Sequence, residues 1–219
     1  MDQTQLAGLV DQLAIALLGV VLFQTVTQRL ATTIGIVVVQ GVLLTAVALL
    51  VAVGAGAPEV YLGALLTAVV RIVLVPLLLS SALSRVRLKV ENRPVVPARV
   101  ALVGAIGLTL VAYQAAGAVP LPGELPSRQA LPVALALMLI GMFLMVVRRK
   151  ALSQVIALVT IENGIALAAL VATAGMPIAV ELGLAFDLLI GVALMGIFAG
   201  WISQTFDTTD VDHLRGLRD

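Results

Sequence analysis

The feature that most constrains this chain is a succession of apolar runs, each of twenty-odd residues, separated by short polar breaks. About 20 apolar residues in an α-helix cover the ~30 Å hydrocarbon core of a bilayer. Lipid offers no hydrogen-bond partner to an open backbone, so helices and closed barrels are the spanning forms available. Aromatic residues make up only 4% of the chain, and Ala, Val, Leu, Ile and Gly supply the apolar bulk. That composition fits helices packed through small residues rather than a barrel with aromatic girdles. With 61% hydrophobic and 11% charged residues and a mean hydropathy of +1.16, the chain lies far outside the soluble range. The expected fold is all-α, a polytopic integral membrane protein.

Seven transmembrane helices are expected, at residues 5–27, 32–54, 59–83, 97–117, 130–147, 151–174 and 179–203. Two longer breaks stand out. Residues 84–96 are basic, and residues 118–129 carry Pro120, Pro122, Gly123 and Pro126, which argue against helix. The chain then divides into a four-helix region at 1–117, a Pro-rich loop at 118–129, a three-helix region at 130–203 and a polar tail at 204–219, with no internal repeat. Met1-Asp2-Gln3-Thr4-Gln5 lacks the basic start of a signal peptide and no cleavage pattern follows the first run, so that run is expected to be retained.

Charge asymmetry sets the expected orientation. If 84–96 faces the cytoplasm, that side gathers Arg29, Arg85, Arg87, Lys89, Arg93, Arg99, Arg148, Arg149, Lys150, Arg215 and Arg218, against Arg128 alone outside. This positive-inside bias predicts an outer N-terminus and a cytoplasmic C-terminus, the tail included, in an inner (plasma) membrane. Tyr61, Tyr113 and Trp201 fall near span ends, where amphipathic rings anchor. The net charge of +1 gives no reason to expect nucleic acid. The chain has no cysteine, and its one histidine, His213, sits in the tail, so no cofactor or metal centre is expected here.

Several ionisable residues interrupt the apolar runs. Glu162 stands in the middle of 151–174, where an isolated charge costs about 2.5–3.5 kcal/mol on insertion scales. It lies about 18 Å from the basic end of its span, and Asp187 about 12 Å from the outer end of the next, so the two acids fall at nearly one level. Arg71, about 18 Å from the outer side, comes some ~6 Å deeper. These are candidates for proton handling, with Asn163 as polar support and Glu181, two residues into its span, as a shallower candidate. Gly183 and Gly191 flank Asp187 by one turn, leaving room for a neighbouring backbone or for water. Pro76 removes the helical partner of the Ile72 carbonyl, favouring a kink beside Arg71.

Each candidate has a structural alternative. Arg71 can pair with Glu162 or Asp187 without any transport. Asn163, Gln40 and Gln114 read as interhelical hydrogen-bond partners, Asp11 as a shallow structural acid, and Met138, Met142 and Met145 as ordinary packing. Arg148-Arg149-Lys150 reads as a topology anchor or as a dock for a cytoplasmic partner.

The second half carries a recognisable order: a helix with Gly141, the basic junction Val147-Arg148-Arg149-Lys150, the buried Ile161-Glu162-Asn163-Gly164, then Val180-Glu181-Leu182-Gly183 followed by Asp187. This resembles the three-helix K-type membrane subunit of respiratory complex I. With four helices in front, it resembles component E of hydrogenase-4 and formate hydrogenlyase-type complexes. The likeness is most specific over 141–196.

The resemblance implies a non-catalytic membrane subunit of a complex-I-like, group 4 [NiFe] hydrogenase, whose partners hold the NiFe site, the iron–sulfur clusters and antiporter-like subunits. It places Glu162 in a midplane chain of charges for proton translocation, with Asp187 or Glu181 as the second acid. It sets Arg71 at a basic position of the third helix where the family leads one to expect lysine. Arginine holds its proton far more firmly, which favours a fixed charge there. Two other functions stay open, a subunit of a multi-subunit cation/proton antiporter and a structural scaffold.

Overall fold

The computed structural model describes residues 3–84, 95–118, 127 and 129–172, together with the single positions 183, 187, 190 and 191. Six helices long and apolar enough to cross a membrane lie among the described residues. They are α1 (Gln3–Val26), α2 (Leu30–Ala55), a third span Pro58–Ser84, α5 (Ala98–Gly117), α6 (Ala130–Val147) and α7 (Ala151–Ala172). The third span is composite: α3 (Pro58–Ala68), a π-helical turn (Val69–Leu74) and α4 (Val75–Ser84). Each of these six matches an expected span to within a few residues at either end. Most of the seventh expected span at 179–203, the basic stretch 85–94, most of the Pro-rich loop, Arg128, Glu181, Trp201 and the tail with His213 lie outside the described residues. Gly183, Asp187, Ile190 and Gly191 are helical.

The boundaries follow from local chemistry. α2 ends at Gly56, whose φ of 64° is open to glycine and whose N–H bonds the Ala52 carbonyl at 2.9 Å. Pro58 then starts α3 at the one helical position that needs no N–H. At the entrance to α6, Ser127 Oγ accepts the Ala130 N–H at 3.0 Å and donates to Asp11 Oδ1, which also accepts the Gln129 N–H at 3.1 Å. Asp11 therefore fastens α1 to the start of α6, in keeping with its structural reading. At the other end, Arg148 Nη2 donates to the carbonyls of Thr25 and Thr27, both at 2.9 Å, and of Gln24 at 3.4 Å. A cation on the last carbonyls of α1 is favoured by the helix dipole.

The kink expected at Pro76 takes the form of the π turn. Val75 N–H reaches back to Val70 O, five residues away, and this wider turn gives room for the proline ring, which would crowd the carbonyl four residues before it in a regular α-helix.

The bundle centres on α2 and α7. α2 touches α1, α3, α4 and α7, and α7 touches α6, α2 and α4. α5 packs on α6 and α1 from outside and is the least buried of the spans, with 22% of its apolar window buried against 61% in α7. Two apolar clusters fill the interior. One joins α1, α2, α5, α6 and α7 around Leu17, Val21, Leu44, Leu137 and Leu167. The other joins α2, the π turn, α4 and α7 around Ile34, Val37, Val70, Val75, Leu79, Ile156 and Val159. Large apolar side chains such as Leu62, Leu65, Leu77, Val103, Leu110 and Val146 point outward, as suits a lipid-facing surface.

Candidate functional site: a buried polar seam

Glu162, Asn163 and Gly164 are consecutive, and at about 100° per residue they point in three different directions. Gly164 faces α6: a Cβ there would stand 2.7 Å from the Ala134 carbonyl oxygen and 2.9 Å from Met138 Cγ. Asn163 faces α2 and the π turn, with its oxygen accepting from Arg71 Nη1 and its Nδ2 donating to Gln40 Oε1 at 2.8 Å. Glu162 sits one turn beyond Val159 on the same face, and Val159 packs in the cluster with Val70 and Val75. The carboxyl thus emerges on the side of α7 turned to the π turn.

The hydrogen bonds run on from Gln40. Its Nε2 donates to Gln24 Oε1, Gln24 Nε2 donates to Thr160 Oγ1 at 3.0 Å, and Thr160 Oγ1 donates to the Ile156 carbonyl at 3.1 Å. Thr160 Oγ1 also approaches Gln24 Oε1 at 3.4 Å. From Arg71 to Gln24 the donors point one way, and the cause is Arg71. A guanidinium can only donate, so Asn163 must turn its oxygen to it and its N–H₂ away, and the same orientation passes to Gln40 and then Gln24. Five side chains from α1, α2, the π turn and α7 form one seam. It is buried: Arg71 is 4% exposed, the adjoining Glu162 5%, and Gln24, Gln40, Thr160 and Asn163 no more than 2%. Buried polar groups persist only when hydrogen-bonded, and a desolvated charge demands more partners still. Arg71 and Glu162 each have further interactions beyond those described.

Gly41 makes this closeness possible. A Cβ at that position would meet the Arg71 carbonyl oxygen at 2.8 Å and Arg71 Cβ at 3.1 Å, so the π turn lies directly on the backbone of α2 beside Gln40.

The structure therefore brings Arg71 to Asn163, next to Glu162 in the chain. Asp187 is helical and exposed, whereas the seam is buried; a Cβ added at Gly183 would meet no atom within 4 Å, and one added at Gly191 would stand 4.0 Å from Leu158 Cδ2. Gln114 is exposed on α5, which corrects its reading as interhelical glue in this chain, whereas Gln40 and Asn163 do bridge helices. Of the methionine stripe only Met138 packs inward, against Gly164; Met142 and Met145 are exposed. Gln24 and Thr160 escaped the sequence reading. Gln24 sits in the polar stretch Gln24-Thr25-Val26-Thr27-Gln28 at the end of its span and reads there as an interfacial residue, and Thr160 carries no charge to mark it.

Chemically, the seam sets a permanent cation among neutral amides, with one carboxyl on the neighbouring face of α7. Amides do not titrate, so proton exchange within this group falls to Glu162. Among the described residues there is no cluster of three or more His, Cys, Asp or Glu side chains suited to a metal ion.

No family model and no solved structure matches the chain. Curated relatives do. The chain is 37% identical over 129 residues to an uncharacterized protein of Mycobacterium tuberculosis, a match covering 59% of either chain. It is 30% identical over 151 residues to hydrogenase-4 component E of Escherichia coli, covering 68% of this chain and 69% of the relative, and it matches the Shigella flexneri protein of that name equally. On that likeness, the chain belongs to the hydrogenase-4 component E family.

Proposed function

We propose that this chain is a non-catalytic membrane-arm subunit of a complex-I-like, group 4 [NiFe] hydrogenase, in which Glu162 takes part in proton translocation beside the fixed charge of Arg71. The observation that carries this reading is a buried guanidinium from the first half of the chain hydrogen-bonded to Asn163 in the second half, next in sequence to the buried carboxyl of Glu162. Family membership supports the hydrogenase setting. Partner subunits would hold the NiFe site and iron–sulfur clusters, and antiporter-like subunits would continue the membrane arm. In this reading a seventh helix over 179–203 completes the three-helix region with Asp187 as the second acid and Glu181 as the shallower one. The N-terminus lies outside and the basic end faces the cytoplasm, across the inner membrane. The four-helix region 1–117 and the three-helix region 130–203 then share one proton path across the 118–129 loop.

The test is Glu162→Gln in the intact complex. Hydrogenase-linked proton movement in inverted vesicles should fall several-fold, while hydrogenase turnover with an artificial electron carrier persists. Unchanged proton movement would leave Glu162 and Arg71 with a structural role only. That scaffold reading has its own support in the satisfied hydrogen bonds of the seam.

A further inference from the structure

A second feature meets the seam at the basic end of the bundle. Gln24, Thr27, Gln28, Thr33, Arg148 and Ser153 supply the polar lining of a pocket between α1, α2, α6 and α7, whose other walls are leucine and isoleucine side chains. Gln28 is exposed and stands at the mouth, whereas Gln24 is buried and stands at the floor. Gln24 is also the member of the seam nearest that end, so pocket and seam share a residue. The pocket is small, with a cavity volume of about 10 Å³, close to the least that holds one water. From Gln24 one polar contact branches to Thr160, and the others lead inward through Gln40 and Asn163 to Arg71. Apolar side chains wall them on either side, Leu17, Val21 and Leu44 in one cluster and Ile34, Val37 and Val159 in the other.

We infer that this pocket and seam form the route by which water and protons reach Glu162 from the basic end, an inference that rests on Glu162 being a proton carrier. The amides hand on no proton themselves. Their part is to hold a transient file of water between apolar walls, which rotation of Gln24 and Gln40 admits. The oxygens of Asn163, Gln40, Gln24 and Thr160 each accept one hydrogen bond within the seam, and an amide or hydroxyl oxygen keeps a second lone pair with which to accept from a water.

The absence of cysteine in the chain makes the test direct. Ser153→Cys places a single thiol in the pocket wall, and Thr33→Cys does the same on the facing helix. The intact complex in vesicles open at the basic face is treated with a small, membrane-impermeant methanethiosulfonate. The adduct is measured by mass spectrometry and hydrogenase-linked proton movement is recorded before and after, with the cysteine-free chain as control for partner thiols. The expected result is labelling at both pocket positions with a several-fold loss of proton movement, while Ser84→Cys, exposed at the same end of the bundle, labels without loss. Failure to label either pocket position where Ser84→Cys labels, or labelling that leaves proton movement intact, overturns the route. Proton movement that depends on Glu162 but ignores pocket labelling removes the route alone; indifference to Glu162→Gln removes the parent reading.

Discussion

α7 packs through two seams of opposite character. Toward α6 it is bound by glycine: Gly164 lies against the backbone at Ala134 and Met138, and Gly141 of α6 lies against Ala157 and Ile161, where a Cβ would stand 2.6 Å from Ile161 Cγ1. Toward α1, α2 and the π turn it is bound by Thr160 and Asn163 through side-chain hydrogen bonds. In lipid, where tails are as apolar as leucine, helices gain little from hydrophobic contact alone. Close backbone packing and interhelical hydrogen bonds are the two remaining sources of attraction, and this helix uses one on each side. A glycine seam admits one distance only. A seam of long amides can lengthen, rotate and admit water, which suits the face that carries the ionisable groups.

That contrast can be broken experimentally, most severely at the glycine seam. Gly164→Val puts three carbons where the Ala134 carbonyl and Met138 already stand. It should exceed the ~1–3 kcal/mol typical of an overpacked core and remove most of the folded chain from the membrane, scored by recovery of the intact complex. Gly107→Ala, with nothing within 4 Å of its added carbon, should leave recovery unchanged. A smaller effect is expected at Gly41→Ala, where the Arg71 carbonyl at 2.8 Å must move. A loss of about 1–3 kcal/mol, read from thermal melting of the detergent-solubilised complex, should be accompanied by weakened proton movement because the π turn is displaced. The smallest effect is expected within the amide seam. A double-mutant cycle on Gln24→Leu and Gln40→Leu should give a coupling energy near ~0.6 kcal/mol, typical of interhelical hydrogen bonds in membranes. A value near zero would mean that the two amides do not act as one chain.

The six described spans were legible because their length and hydropathy follow from the bilayer, and the ends at Gly56, Pro58 and Arg148 carry ordinary capping chemistry. Glu162, Asn163 and Arg71 were legible because polar groups at that depth are costly. What escaped was angular. Nothing in the order of residues told that Asn163 and Gln40 would meet, that Gln24 would close the chain, or that Gln114 would face outward, because these depend on which helices are neighbours. The glycine in Glu162-Asn163-Gly164 was read as part of a pattern, and its use became visible only with Met138 packed against it.

The π turn of the third span has a consequence in phase. Gly63, Thr67, Arg71, Val75 and Leu79 are all buried and all spaced by four. In a regular helix of 3.6 residues per turn such a series creeps forward by about 40° at each step and would pass from the bundle toward lipid within two or three turns. A wider turn at 69–74 takes back part of that creep. It works as a gear correction, keeping a four-residue stripe on one bearing along a 27-residue span, so that the arginine at its centre meets the amide of Asn163 on α7.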